Sequence, residues 1–134
     1  MCELPLVLMA DDDNDNWLLA KDAFEASGAQ VRMNFVEDGI ELLNYLSTCG
    51  TPPALILLDL NMPRKDGLQA LKEVKSVPCL QNIPIVVLTA SQVKNDLVKC
   101  RDAGANSFIS KPASFSEWTQ IMRSLADTWL VTEY

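Results

Sequence analysis

Short apolar runs and segments of helical periodicity alternate five times along the chain. The runs predict β-strands at residues 5–10, 31–36, 54–58, 83–89 and 107–109. After each run, apolar residues recur at three- or four-residue spacing, which predicts an amphipathic helix. The run Ala54–Leu58 is apolar at every position, as in a parallel strand covered on both faces. The pattern therefore predicts an α/β fold with a five-stranded parallel sheet, doubly wound by helices on both faces.

Residues typical of helix ends stand at the predicted boundaries. Four short polar side chains precede helical segments as N-cap candidates: Asp15, Asp38, Ser91 and Ser114. Three glycines follow helical segments as C-cap candidates: Gly28, Gly50 and Gly104. No repeat or linker interrupts this order, so we expect a single domain over residues 1–134 without an output domain.

Composition and charge argue against several classes of function. The chain has 134 residues, 49% of them apolar, and a formal net charge of −7. This charge argues against a nucleic-acid or anionic-membrane surface, because phosphates would be repelled overall. No apolar run reaches the roughly 20 residues of a membrane span, and the first residues lack the pattern of a signal peptide. The four cysteines are widely spaced, which indicates reduced thiols and a cytoplasmic protein.

Histidine is absent from the sequence. A Ser-His-Asp hydrolase, a histidine-ligated zinc site and an imidazole base are therefore excluded. Any chemistry must come from Asp, Glu, Lys, Ser and Thr side chains.

Charged and polar side chains follow four of the predicted strands. They are Asp11, Asp12 and Asp13 after the first strand, Asp59 after the third, Thr89 closing the fourth and Lys111 after the fifth. In doubly wound sheets the carboxyl ends of the strands form one rim, where ligands bind. Facing carboxylates repel one another unless a divalent cation joins them, and a small acidic cup suits Mg²⁺. The lysine and the threonine add positive charge and a hydroxyl group, which predicts a phosphoryl site.

Four motifs, in order and spacing, resemble the response-regulator receiver domain. They are Met-Ala-Asp11-Asp12-Asp13; Leu-Leu-Asp59-Leu-Asn-Met-Pro63 with Asp66-Gly67; Val-Val-Leu-Thr89-Ala-Ser; and Ala-Gly-Ala-Asn-Ser-Phe-Ile-Ser-Lys111-Pro112. Each motif alone is weak, but four on one predicted rim are specific, and the resemblance covers essentially the whole chain. The stretch beginning Lys75-Ser-Val-Pro is also similar to small stand-alone regulators paired with bacterial phytochromes. The family implies a flavodoxin-like sheet with strand order 2-1-3-4-5.

The resemblance implies a phosphorylation switch rather than an enzyme, with at most slow self-phosphorylation and self-dephosphorylation. Asp59 would accept a phosphoryl group from a phosphohistidine on a sensor histidine kinase, which the finer similarity suggests is a phytochrome. Asp12 would bind Mg²⁺ directly, Asp11 through water and Asn61 through its backbone carbonyl. Asp59 would also belong to this metal site. No organic cofactor is implied.

The resemblance also assigns roles to the far side of the predicted site. Lys111 and Thr89 would hold the phosphoryl oxygens. Thr89 and Phe108 would form the switch, with Phe108 standing where many receivers carry a tyrosine. Their movement would change the surface of the fourth helix, fifth strand and fifth helix. In this family the bond between Lys111 and Pro112 is cis, which would turn the lysine inward.

Two other functions begin from the same acidic cluster. A haloacid-dehalogenase-like, Mg²⁺-dependent phosphohydrolase also uses a strand-end Asp, a Thr and a Lys, but Asp15 stands where that family expects Thr or Val. An EF-hand would use Asp11, Asp13 and Asp15, but Asn16 replaces its glycine and Asp22 its bidentate glutamate. Asp13 and Asp15 are more simply helix-start charges favoured by the helix dipole.

The last helical segment carries more apolar residues than one covering stripe requires. The stripe itself is Trp118, Ile121, Met122 and Leu125. The surplus residues are Trp129, Leu130, Val131 and Tyr134. Exposed aromatic residues of this kind anchor protein contacts. We therefore expect a homodimer built on the last helix and its neighbouring strand, strengthened by phosphorylation.

Overall fold

A computed structural model describes residues 5–48, 52–60, 67–89, 94–112 and 114–130. Within these ranges the strands are β1 (Leu6–Ala10), β2 (Arg32–Val36), β3 (Leu55–Leu58), β4 (Ile85–Thr89) and β5 (Ser107–Ser110). The helices are α1 (Asn14–Ala26), α2 (Gly39–Thr48), α3 (Gly67–Ser76), α4 (Lys94–Asp102) and α5 (Phe115–Trp129). The strict alternation of strand and helix is the predicted one.

The five strands form one parallel sheet in the order β2-β1-β3-β4-β5, as predicted. The register aligns the carboxyl ends of the central strands: Ala10 pairs with Leu58, and Leu58 pairs with Val87. The fourth strand begins at Ile85 rather than at residue 83, since Pro84 has no N–H to donate to a strand ladder. Side chains that follow β1 and β3 are therefore neighbours at one edge.

Two apolar layers enclose the sheet. On one face, α1 and α5 contribute Phe24, Trp118 and Met122 to a cluster with alternate strand residues. On the other face, α2, α3 and α4 contribute residues such as Leu42 and Leu71. Every residue of β3 is buried, as the continuous apolar run predicts. None of the helices in the described ranges combines the length and apolar character that crossing a membrane requires.

Most of the predicted caps are confirmed, with one correction. The Asp38 side chain accepts a hydrogen bond from the Glu41 N–H at 2.9 Å, and Ser114 caps α5. Helix α1 begins one residue earlier than its predicted cap, so Asp13, not Asp15, is the N-cap and accepts from the Asp15 N–H. The predicted caps Ser91 and Gly50 lie outside the described residues.

Two glycines follow helices α1 and α4 in the conformation that a glycine cap requires. Gly28 has φ 84° and Gly104 has φ 109°, in the left-handed region that L side chains rarely adopt. These two predicted C-caps are confirmed.

The end of α5 differs from the prediction. Leu130, counted among the surplus apolar residues, is 9% exposed and belongs to the α1/α5 core cluster. The helix ends at Trp129, so the chain can turn there and bring Leu130 back onto the core. Trp129 is half-buried and packs against the same cluster, whereas Trp118 is fully in the core as predicted. Val131 and Tyr134 lie outside the described residues.

Candidate functional site

Backbone hydrogen bonds at the carboxyl edge of the sheet bring Asp11 and Asp59 together. Asp11 follows β1, and its N–H donates to the Val36 carbonyl at the end of β2 at 3.1 Å. Asp59 follows β3, and its N–H donates to the Ala10 carbonyl at 2.9 Å. Both residues thus continue the hydrogen bonding of the sheet, which fixes the backbone positions from which their side chains extend.

One carboxylate oxygen from each of Asp11, Asp12 and Asp59 lies within 4.8 Å of the others. The sequence predicted this cluster from three strand-end positions. Asp11 and Asp59 are buried, while Asp12 is exposed. Two buried acids and one exposed acid form a cup that opens to solvent on the Asp12 side.

Lys111 supplies the positive charge of the site. Its Nζ lies 2.9 Å from Asp11 Oδ2 and 3.2 Å from Asp59 Oδ2, and its side chain is only 17% exposed. Burial by itself would lower the pKa of Lys111, but hydrogen bonds to Asp11 and Asp59, and their charges, outweigh it and raise the pKa. Lys111 is therefore a fixed cation between the two buried carboxylates.

The expected cis bond before Pro112 is wrong for this structure. The described ranges include the Lys111–Pro112 bond, and no peptide bond in these ranges is cis. The lysine nevertheless points inward, because its long side chain reaches Asp11 and Asp59 from the trans backbone.

Short contacts fix the Asp11 carboxylate in place. Its Oδ1 accepts from the Asp13 N–H at 2.9 Å, and its Oδ2 accepts from Asn16 Nδ2 at 3.2 Å as well as from Lys111. Burial raises the pKa of Asp11 above its ordinary value, although the Lys111 and Asp13 contacts act in the opposite direction. When ionised, Asp11, Asp12 and Asp59 carry three negative charges, and Lys111 supplies one positive charge.

The donor set fits a hard divalent cation. Three carboxylate oxygens within 4.8 Å of one another can converge on one ion, and the exposed Asp12 leaves room for the waters that Mg²⁺ retains. No histidine or thiol joins the cluster within the described residues, so the chemistry of the site is that of oxygen ligands.

Gly67 packs directly against the backbone of Asp59. A Cβ at Gly67 would overlap the Asp59 carbonyl oxygen and lie 2.7 Å from the Leu60 Cα. The Gly67 N–H donates to the Leu60 carbonyl at 3.0 Å. Glycine is therefore required for the first turn of α3 to approach the loop that carries Asp59.

The remaining predicted site residues are only partly described. Thr89 closes β4 opposite Ser110 of β5, but its side chain lies outside the described part of the chain, as does Asn61. Phe108 is half-buried and packs against the core cluster of α2, α3 and α4. The structure thus brings together Asp11, Asp12, Asp59 and Lys111.

Two residues that contact Asp11 were not foreseen as parts of the site. Asn16 donates to its carboxylate, and the indole Nε1 of Trp17 donates to its backbone carbonyl at 2.8 Å. Both lie in the first turn of α1, which begins at the acidic cluster. A buried tryptophan usually finds a partner for its N–H, so a Trp so close to the strand end was the available signal.

The chain matches the family model of the response regulator receiver domain over residues 7–123. It is 33% identical to the "probable methanogenesis regulatory protein FilR2" of Methanothrix harundinacea, over 93% of this chain and 83% of that protein. It is 30% identical to response regulator Rcp1 of Synechocystis, over 95% of this chain and 90% of that protein. Each of these two matches covers most of this chain and most of the related protein.

Solved structures agree with the sequence matches. The phosphorylated cyanobacterial phytochrome response regulator RcpA superimposes with a TM-score of 0.90 and 34% identity, covering 98% of each chain. The Mn²⁺-bound form of Rcp1 superimposes with a TM-score of 0.85 and 28% identity, covering 97% of each chain. The fold, the sequence matches and the acidic site therefore all indicate the same family.

Proposed function

The chain belongs to the response-regulator receiver family, and from this premise we propose that Asp59 is its phosphoryl acceptor. The observation that carries the proposal is the pairing of a buried carboxylate with a partly buried cation: Asp59 Oδ2 lies 3.2 Å from Lys111 Nζ. An acceptor needs a carboxylate at a strand end, an oxygen-ligand metal site beside it and a cation for the transferred oxygens. Asp59 is a carboxylate at a strand end, and both the acidic cluster and Lys111 lie beside it.

The proposed reaction moves one phosphoryl group between two side chains. An Asp59 oxygen forms a bond to phosphorus while the bond from phosphorus to the donor nitrogen breaks, and the donor imidazole takes that electron pair. Lys111 stabilises the negative charge that spreads over the phosphoryl oxygens. Asp11 and Asp59 hold the lysine in place through contacts of 2.9 and 3.2 Å. We assign Thr89 the hydrogen bond to a phosphoryl oxygen that the family resemblance implies.

Receiver domains bind Mg²⁺ in an acidic pocket, and the acidic cluster of this chain fits a divalent metal. Asp11, Asp12 and Asp59 would hold Mg²⁺, with the backbone carbonyl of Asn61 as a further oxygen ligand. When bound, the metal neutralises charge on the phosphoryl oxygens and aligns them. The Mn²⁺-bound form of the related Rcp1 supports a divalent ion here.

Receiver domains are phosphorylated by histidine kinases, and this chain contains no histidine of its own. The donor is therefore another molecule, and we propose a sensor histidine kinase in a phosphorelay. RcpA is a phytochrome response regulator, and this likeness supports a phytochrome as the sensor. We further propose that the protein acts in the cytoplasm and that residues 1–134 form one receiver domain.

The comparisons give no support to the phosphohydrolase alternative. The receiver family model covers residues 7–123, which include every predicted site residue. The chain is a switch, and we expect at most slow self-phosphorylation and self-dephosphorylation.

The test is labelling with acetyl phosphate and Mg²⁺, followed by intact-mass measurement. The wild type should gain the mass of one phosphoryl group, and the gain should disappear when a chelator removes the metal. Asp59→Asn should not be labelled. As a matched control, Asp22→Asn changes an exposed aspartate of α1 away from the cup and should be labelled normally. Full labelling of the Asp59 variant, or many turnovers on a generic phosphoester, would contradict the assignment.

The output of the switch is proposed to be a homodimer through α5 and the neighbouring β5. Phosphorylation of Asp59 would act through Thr89 and Phe108 on the α4, β5 and α5 surface. The half-buried Trp129 at the end of α5 supports this surface, because part of this aromatic residue remains accessible within one chain.

Sedimentation velocity tests the dimer. The wild type should associate more strongly with acetyl phosphate and Mg²⁺ than without, and Trp129→Ala should weaken association in both states. The buried Leu130 should not be substituted as the probe, because its loss would disturb the core itself. A wild type that stays monomeric at tens of micromolar in both states would contradict the proposal.

A further inference from the structure

Trp17 joins the acidic cup to the second strand. Its indole Nε1 donates to the Asp11 backbone carbonyl at 2.8 Å. Its ring stacks on Phe35 of β2, with 5.1 Å between ring centroids and 23° between the ring planes. One side chain thus makes a polar contact with the end of β1 and an apolar contact with β2.

The carbonyl that Trp17 holds belongs to the peptide group linking Asp11 to Asp12. A peptide group is planar, so fixing its carbonyl direction fixes how the backbones of the two residues face each other. The Asp11 carboxylate is separately held by Asp13 and Asn16. Asp12 is exposed, and its position relative to Asp11 depends on this peptide group.

Tryptophan suits this task for a chemical reason. It carries one donor N–H and no acceptor, at a fixed place on a large rigid ring. Phenylalanine at the same place could keep the stack on Phe35 but could not donate. Because Phe35 is paired with Met9 of β1, the stack ties the indole to the same sheet that carries the acids.

We propose that Trp17 is a positioning residue of the acidic cup, holding the Asp11–Asp12 peptide group so that the two carboxylates converge on a divalent cation. This inference rests on the proposed metal-dependent function. It concerns metal affinity, which can be measured without phosphorylation. Groups that orient metal ligands typically change affinity by about 10–100-fold, and Trp17, which holds backbone rather than a ligand side chain, should change it by roughly three- to tenfold.

The experiment is a titration of the metal-free protein with Mg²⁺, in which ¹⁵N NMR spectra are recorded at each Mg²⁺ concentration. Trp17→Phe removes the donor and keeps an aromatic ring, so its Mg²⁺ dissociation constant should rise roughly three- to tenfold. Phe35→Leu is the matched control, because it removes the stacking partner and keeps the indole donor. Its dissociation constant should rise clearly less than that of Trp17→Phe, because the indole N–H can still donate to the Asp11 carbonyl although the ring has lost its stacking partner.

The wild type offers a second measurement that needs no variant to fold. The indole N–H signal of Trp17 should shift on Mg²⁺ addition, while those of Trp118 and Trp129 on α5 should shift less. The Trp17 signal is identified by its absence from Trp17→Phe or by its proximity to Phe35 ring protons.

Three results would overturn the inference. They are an unchanged Mg²⁺ affinity in Trp17→Phe, an equal loss in both variants, and an unmoved Trp17 signal in a wild type that binds Mg²⁺. A wild type that binds no Mg²⁺ would defeat both this inference and the proposed metal site. If Trp17→Phe binds Mg²⁺ more weakly than the wild type, the inference is supported even where Asp59 fails to accept a phosphoryl group. A failure of the inference can therefore be told apart from a failure of the proposed function.

Discussion

The two edges of the sheet each hold a partly buried lysine, and their surroundings differ in charge. At the carboxyl edge, Lys111 lies 2.9 Å from one buried carboxylate and 3.2 Å from another. At the opposite edge, Lys75 donates to the carbonyls of Gln81 and Ile83 at 3.0 Å and to Asn106 Oδ1 at 3.4 Å. The acceptors described for Lys75 are neutral.

The difference appears in the pKa values of the two lysines. Lys111 has a raised pKa, because its two carboxylate partners outweigh the effect of burial. Lys75 has a lowered pKa, because burial disfavours its charge. A lysine among carboxylates is held charged and can serve chemistry, whereas a lysine among carbonyls mainly ties chain segments together. This difference in charge supports placing the proposed reaction at the carboxyl edge, with Lys75 in a structural role at the opposite edge.

Removing Lys111 should have the largest effect. Lys111→Met leaves Asp11 and Asp59 buried without their cation, which should lower the free energy of unfolding by about 3 kcal/mol. Phosphorylation by acetyl phosphate should slow by about 10²-fold, as for the loss of one group that stabilises transition-state charge. Denaturant unfolding and intact-mass kinetics measure the two effects.

Lys75→Met is the matched control at the other edge. It removes hydrogen bonds to neutral acceptors, and Asn106 Oδ1 keeps the Ile85 N–H as a donor. It should therefore cost only about 1 kcal/mol and leave the phosphorylation rate unchanged. Equal loss of phosphorylation in both lysine variants would mean that the two edges are not functionally distinct.

At each edge a glycine packs closely against a residue discussed above: Gly67 against Asp59 at the carboxyl edge, and Gly104 against Lys75 at the opposite edge. A Cβ at Gly67 would overlap the Asp59 carbonyl oxygen, and a Cβ at Gly104 would lie 2.9 Å from Lys75 Cγ. Gly67→Ala should destabilise by about 2 kcal/mol through forced backbone movement, and Gly104→Ala by about 1–2 kcal/mol through its left-handed conformation. Only Gly67→Ala should also slow phosphorylation, since only it displaces Asp59. A normal rate in Gly67→Ala would show that Asp59 tolerates the shift.

The carboxyl edge was predictable because strand ends share one rim. Asp11 and Asp59 follow the adjacent strands β1 and β3, and Lys111 follows β5 at the same edge, from where its long side chain reaches both acids. The opposite edge was not predictable, because the acceptors of Lys75 depend on the path of residues 77–84 and on Asn106. The N-cap Asp13 and the buried Leu130 were missed for a similar reason, since a shift of one residue at a helix end reassigns both.

Mg²⁺ should stabilise the protein through the carboxyl edge. The ion relieves repulsion among carboxylates that converge only in the folded state, so at ten times its dissociation constant it adds about 1.4 kcal/mol. This corresponds to a rise in thermal midpoint of about 5 °C. Asp12→Asn should raise the metal-free midpoint and remove the response. A retained response would mean that Asp12 is not a ligand, and Lys75→Met should respond as the wild type does.

The smallest expected effect is the pH dependence that Lys75 contributes. Its folded-state pKa lies below the ordinary value of 10.5, so as pH rises through that pKa the folded protein loses a proton that the unfolded chain still holds. The unfolded state then binds more protons, and stability rises with pH up to 10.5, by at most about 1.4 kcal/mol per pH unit. Lys111 has the opposite sign, because its raised pKa makes stability fall only above 10.5. Other groups titrate in the same range, so the quantity to measure is the difference in unfolding free energy between wild type and Lys75→Met. That difference should increase toward pH 10.5, while the same difference for Lys72→Met, at an exposed lysine of the same helix, should stay flat. A flat difference for Lys75 would mean that its three hydrogen bonds offset the cost of burying its charge.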